Sequence, residues 1–199
     1  MNKTNTPRRA KTQRKTAETD IRAELCLDGD GKADIRTGAA FFDHMLSQTA
    51  LHGGLDITLA AKGDMQIDAH HTIEDCGIVL GGAFAEALGD KRGIRRFGYA
   101  YAPLDESLAR VVVDICGRSA LTFNAAFSRE EIGGLDADLL REFFKSFADN
   151  ARVVLHIDLL RGVNAHHQAE AIFKAFGLAL GAAVCLRGGG GLPSTKKAL

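Results

Sequence analysis

Residues 70–88, HHTIEDCGIVLGGAFAEAL, and residues 166–184, HHQAEAIFKAFGLALGAAV, are two versions of one helix. Each opens on a histidine pair and carries a glutamate four residues after the first histidine, and the two start 96 residues apart. Cys76, Leu80, Ala83, Phe84, Ala87 and Leu88 recur as Ile172, Phe176, Ala179, Leu180, Ala183 and Val184, and Gly81 falls on Gly177. That spacing draws one apolar stripe along an amphipathic helix in both copies. An offset of nearly half of 199 residues is the mark of an internal duplication.

Reading outward, each helix is preceded by the same kinds of element. Residues 19–27 alternate as a strand, 28–31 (DGDG) form a hairpin turn, and 32–37 pair back. FFDHMLSQTALHGG, from Phe41, is a helix closed by Gly53 and Gly54, and LDITLAAKG is a strand. In the second half LARVVVDIC and SALTFNA are strands, DADLLREFFKSFADN is a helix and RVVLHIDLL is a strand. The expected fold is α+β: a ββαβα unit repeated, each half a small sheet with two helices on one face. The expected divisions are a basic disordered tail (1–17), two halves (18–92 and 93–187), and a glycine-rich hinge with a C-terminal arm (188–199).

Composition narrows the class. The net charge is zero, but residues 1–17 hold six basic groups (Lys3, Arg8, Arg9, Lys11, Arg14, Lys15) and no acid, leaving the rest at −6. An acidic body argues against a general nucleic-acid binder. No apolar run reaches the roughly 20 residues of a membrane span, and no apolar segment follows the basic start as in a secretion signal. Cys26, Cys76, Cys116 and Cys185 form no CxxC pair, which points to a reducing, cytoplasmic setting.

The chemistry sits on the repeat. In each HHxxE the first histidine and the glutamate share a helical face, while the second histidine is rotated about 100° away. Adjacent histidines therefore serve different ions, between the two helices or across a subunit contact. His44, on the FFDHM helix, is a further ligand candidate. Imidazole and carboxylate without thiolate suit octahedral Mn, Fe, Co or Zn. Arg95, Arg96, Arg118 and the arm's Ser194, Thr195 and Lys196 are anion binders that can close on a phosphate. Two other readings use the same residues: a dinuclear hydrolase, which would release phosphate, and a protein whose metals only cement an oligomer.

FFDHML, HHTIED, RRFGYAYAPLDESL, DICGR, HHQAE and PSTK, in this order, closely resemble the imidazoleglycerol-phosphate dehydratases of histidine biosynthesis, over roughly residues 16–199. The resemblance implies a 24-mer with a pair of Mn ions in each site where subunits meet. Carried over by position, one metal takes His70, His166 and Glu170, and the other takes His44, His71, Glu74 and His167. Many relatives have one more histidine ligand where Glu142 stands here. Arg96, Arg118, Lys174, Ser194 and Lys196 would grip phosphate; Glu18 and Gln48 would approach the glycerol portion. Tails of the family usually read SxKG, whereas Lys197 stands here at the glycine position.

The implied reaction removes water from the glycerol side chain of D-erythro-imidazoleglycerol phosphate to give imidazole acetol phosphate. The departing proton is not next to a carbonyl, so there is no enolate to stabilise. A metal on the ring nitrogens holds the imidazole as imidazolate, whose electrons expel the hydroxyl. Glu74 or Glu170 is expected to move the proton near the metals and Glu18 the proton near the leaving hydroxyl. Asp105 and Glu106, before a strand, suit either catalysis or a structural role as an ion pair or cap.

Overall fold

The computed structural model describes residues 6–187 and 190–196; Lys3 and Lys197, named above, and residues 188–189 of the expected hinge lie outside the described residues. The first half runs β1 (Arg9–Lys15), β2 (Thr19–Cys26), β3 (Ala33–Arg36), α1 (Ala40–Gly53), β4 (Asp56–Gly63) and α2 (His70–Leu88). The second repeats it as β5 (Phe97–Leu104), β6 (Ser107–Asp114), β7 (Ala120–Asn124), α3 (Asp138–Ala151), β10 (Val154–Arg161) and α4 (Ala165–Val184), with a small β8–β9 hairpin (Glu131–Ile132 and Leu135–Asp136) before α3. The sheets have the same order, β1-β2-β4-β3 and β5-β6-β10-β7, so the α+β duplication stands.

Each unit begins one strand earlier than its sequence suggests. Residues 9–15 are not a disordered tail; they pair antiparallel with β2 over their whole length. Only Ala10 of this strand is buried, so no apolar alternation announces it. Polar contacts to α2 hold it instead: Thr12 Oγ1 donates to the Val79 carbonyl at 2.9 Å, and Arg14 Nε to Asp75 Oδ1 at 2.8 Å. Residues 28–31 do not make a hairpin either. Asp56 Oδ1 accepts the Asp30 and Lys32 N–H groups at 2.9 and 3.0 Å, which draws the loop past β4. β3 then runs parallel to β4 on the far edge, as β7 does beside β10.

Arg8 anchors the start of β1. Its guanidinium lies on Asp28 at 2.6 and 3.0 Å, and these hydrogen bonds hold the Asp28 carboxyl below its ordinary value of 3.8. A lowered folded value means the contribution is complete above the unfolded pKa and lost as pH falls through the folded one. Asp28→Asn is therefore expected to lower the urea midpoint at pH 7, with the gap to the parent closing below about pH 4. A gap that persists at pH 2 would contradict this.

The helices fill the space between the sheets. α2 packs on β1 and β2 and against α3, while α4 packs on β5 and β6 and against α1. Phe42, Phe143, Phe144, Phe173 and Phe176 are almost completely buried, and each such side chain stabilises the fold by roughly 1.5–3 kcal/mol. Glycines set the helix separation: a Cβ on Gly81 would lie 2.6 Å from the Phe147 carbonyl oxygen, and one on Gly177 2.5 Å from that of Thr49. This close α1–α4 approach places His44 against the start of α4.

Candidate active site

Asn164 caps α4, its side chain accepting the His166 and His167 N–H groups at 2.9 and 3.3 Å. His166 and Glu170 therefore project from the first turn and the next, on one face. His44 Nε2 and His166 Nε2 lie 3.0 and 3.1 Å from the same oxygen, Glu170 Oε2, while Lys174 Nζ is 2.7 Å from Oε1. Burial opposes the charge on Glu170, but hydrogen bonds from Lys174, His44 and His166 overcome it and hold the carboxyl at about 2. An ionised carboxylate only accepts, so both Nε2 atoms carry protons here. One ligand atom from each of the three residues lies within 4.8 Å of the others. Two imidazoles and a carboxylate at this spacing fit a divalent cation taking the place of those protons.

The division between metals implied by the resemblance differs from this arrangement. Within one chain His44 joins His166 and Glu170, and His70 does not. His70 sits 3.9 Å from Glu74 on α2. The helices α1 and α3 are both 14 residues long, and Glu142 holds in α3 the place that His44 holds in α1. His70, Glu74 and Glu142 are thus the counterpart set, although the Glu142 carboxylate turns to Arg141 at 2.8 Å.

The paired histidines diverge as their helical positions demand. The rings of His70 and His71 are 6.0 Å apart at 88°, and those of His166 and His167 are 6.3 Å apart at 89°. His71 Nδ1 faces Asp64 at 3.0 Å and Glu18 at 3.8 Å; the Asp64 hydrogen bond raises its pKa. His167 Nδ1 lies 2.8 Å from Glu106, which raises its pKa in the same way. Glu106 Oε1 accepts the Val163 and Asn164 N–H groups at 3.0 and 2.8 Å. The His167 contact and these two bonds hold its carboxyl far below the ordinary range. Glu106 precedes β6 as Glu18 precedes β2, 88 residues earlier. That offset, distinct from the 96 of the histidine helices, is the signal that would have paired them.

Arg96, Arg118, Ser194, Thr195 and Lys196 come together around a cavity of about 410 Å³. Arg96 is fixed by Asp114 at 2.6 and 3.1 Å and donates to the Pro193 carbonyl at 3.0 Å, which ties the arm to the second half. Lys174 is not among them; it belongs to Glu170. Gln48 lies half-buried one turn after His44 on α1. A second cavity, about 540 Å³, opens beside the metal-competent cluster between His166, Asn164, Glu106 and Arg129.

Residues 37–180 match the imidazoleglycerol-phosphate dehydratase family. The chain belongs to that family. It is 55% identical to the Herminiimonas arsenicoxydans imidazoleglycerol-phosphate dehydratase over 98% of this chain and 99% of the relative. With the Aromatoleum aromaticum protein of the same name it shares 58% identity over 96% of this chain and all of the relative. The Staphylococcus aureus crystal structure superposes with a TM-score of 0.81 at 44% identity, covering 89% of this chain and 99% of that one. The Pyrococcus furiosus structure, in complex with (S)-C348, gives 0.82 at 36% identity over 94% and 100%. The family's enzymes are hydro-lyases. Among the described residues no helix is long and apolar enough to cross a membrane.

Proposed function

We propose that this chain dehydrates D-erythro-imidazoleglycerol phosphate to imidazole acetol phosphate in the histidine pathway of the cytoplasm, using two Mn2+ ions per site in a 24-mer whose sites lie where subunits meet. The observation that carries the reading is the convergence of His44, His166 and Glu170 in a chain of this family. These three residues would hold one ion. His70 and Glu74 with Glu142 form the counterpart set, and His71 and His167, turned away from both, would complete the sites across a subunit contact. When bound, such a cation supplies the positive charge that lets the imidazole ring take up electron density as the adjacent carbon chain loses its proton.

The chain's own groups do the rest. Arg96 and Arg118, with Ser194, Thr195 and Lys196, hold the phosphate by charge-assisted hydrogen bonds, and this binding orients the glycerol chain. Gln48 would bond a glycerol hydroxyl. Glu74 or Glu170 would take the departing proton, and Glu18 would protonate the hydroxyl that leaves as water. The contrast between Glu18 and Glu106 supports the last assignment. Glu106 is pinned by two backbone N–H groups, so it orients His167 Nδ1 and leaves Nε2 to bind. The Glu18 carboxylate is half-exposed and 3.8 Å from His71 Nδ1, which supports the proton-exchanging role for it.

Glu18→Gln should thus lower kcat about 10²–10⁴-fold with little change in KM. Glu106→Gln should instead weaken Mn binding about 10–100-fold. Equal effects of the two on kcat and on Mn affinity would remove the distinction. The function itself is tested by incubating the protein with the substrate and following ketone and free phosphate together. Ketone with the phosphate retained is the expected result; phosphate release without ketone would show a hydrolase instead.

A further inference from the structure

The turns that open β2 and β6 hold their glutamates in opposite ways. In the second half the carboxylate itself is fixed: Glu106 Oε1 takes the Val163 and Asn164 N–H groups and Oε2 takes His167. In the first half the carboxylate is loose and the backbone beneath it is fixed. Thr16 Oγ1 accepts the Glu18 and Thr19 N–H groups at 3.1 and 3.0 Å, and the Thr16 N–H donates to the Thr19 carbonyl at 2.9 Å. Thr19 Oγ1 donates to Asp75 Oδ2 on α2 at 2.5 Å, and Arg14 Nε on β1 donates to Asp75 Oδ1 at 2.8 Å. A hydroxyl has one proton to give, so Thr16 Oγ1 is the donor to Thr19 Oγ1, 3.3 Å away. Thr16, Thr19, Asp75 and Arg14 thus form one connected network.

The duplication supplies the control. β1 and β2 recur as β5 and β6 after 88 residues, and α2 recurs as α4 after 96. Arg14 therefore stands where Ala102 does, Asp75 where Ala171 does and Thr16 where Leu104 does, and both alanines are buried. Thr19 keeps a hydroxyl at Ser107, but that one turns to Glu106 Oε1 at 3.1 Å. The same two strands and helix meet in the second half with no ion pair between them. Taking a carboxylate such as Asp75, 7% exposed, out of water costs free energy that apolar packing at the site avoids. The architecture can be built without the network, and the residue whose backbone the network encloses is Glu18.

We infer that Asp75 is a positioning residue for the reaction: acting through Thr19, and with Arg14 behind it, it fixes the turn that carries Glu18 against α2. Its role rests on the reading of Glu18 as the group that protonates the leaving hydroxyl. The Glu18 side chain is 56% exposed, and among the described residues its one charged neighbour is His71, 3.8 Å away. A carboxylate pinned as Glu106 is could not exchange a proton freely, whereas one on a loose turn would seldom be in place. Holding the backbone and leaving the carboxylate unbound meets both demands. Asp75 also follows Glu74 directly, so it ties the Glu18 turn to the helix that presents His70, His71 and Glu74. Misplacing a reacting group by 1 Å or so can cost about 10²-fold in rate.

The test copies the second half into the first. Arg14→Ala with Asp75→Ala reproduces Ala102 and Ala171, while Thr12 and the ladder to β2 still hold β1 and Thr16 remains beside Thr19. With folding confirmed by circular dichroism and urea titration, kcat for imidazoleglycerol phosphate is expected to fall about 10²-fold, with KM and Mn affinity within about threefold of the parent. The same pair of substitutions made in Glu18→Gln should lower kcat by less than about threefold more, because the group through which they act is already gone. A generally loosened site would instead lose the same factor in both backgrounds. Should the double variant fail to fold, Thr19→Val, which removes the hydroxyl, is read in the same cycle, and Thr19→Ser is expected to restore turnover. A folded variant with turnover near the parent's, or an equal loss in both backgrounds, overturns the inference. If Glu18→Gln itself turns over like the parent, Glu18 and Asp75 lose their roles together, and Mn-dependent ketone from the parent would leave the dehydratase reading standing.

Discussion

Glu170→Gln is expected to lower turnover about 10²–10⁴-fold while the protein stays folded. The substitution keeps the side chain's size and removes the charge on which three cationic or proton-bearing groups converge. Glu170 is 8% exposed, with Lys174 on one oxygen and His44 and His166 on the other. An amide offers one acceptor where the carboxylate offers two, and its NH2 group opposes the Lys174 ammonium. Mn affinity should fall together with turnover, because a ligand and the orientation of two others are lost at once. Lys174→Gln removes only the counter-charge and should cost less in both measurements. Turnover of Glu170→Gln within twofold of the parent would show that this cluster is not the reactive centre.

The second large effect is expected far from any ligand. Gly177→Ala places a methyl where the Thr49 carbonyl oxygen would be 2.5 Å away, a contact both backbones must move to relieve. Overpacking of this kind costs about 1–3 kcal/mol. The strain falls between α1 and α4, whose separation sets the distance from His44 to Glu170, so a lower urea midpoint should come with weaker Mn binding. Gly82, in α2, faces open space. Gly82→Ala should therefore gain up to about 1 kcal/mol from helix propensity and leave Mn binding unchanged. A neutral Gly177→Ala would mean that the helices are not held apart by backbone contact at this point.

Local periodicity made the duplication and the four helices legible, because 3.6-residue stripes and terminal glycines such as Gly53 and Gly54 are written within single segments. The first strand of each half was not. β1 carries one buried apolar residue, and its partners Val79 and Asp75 are more than 60 residues away. The parallel crossover of β3 was hidden for a similar reason: Asp56, which captures the 30–32 loop, lies beyond an intervening helix.

In the site, the His166–Glu170 pair followed from helical spacing, whereas His44 and Glu170 are 126 residues apart and meet only through α1–α4 packing. The correspondence of Glu106 to Glu18 escaped because the repeat has no single offset. Its strands recur after 88 residues, but residues 125–137, holding the β8–β9 hairpin, push α3 to 98 before the histidine helices return at 96. A single-offset comparison aligns those helices and misses the turn carboxylates. The same bookkeeping explains why Glu142 is the counterpart of His44, which a motif carried over alone does not show.

Metal-dependent dehydration at the Glu170 cluster is measured directly as turnover of imidazoleglycerol phosphate by metal-stripped protein, before and after adding Mn2+, in parallel for the parent and for Glu170→Gln. No ketone is expected without metal, with ketone restored and no phosphate released in the Mn-loaded parent, and little restoration in the variant. Full turnover in the stripped parent, or equal restoration in both proteins, would contradict it.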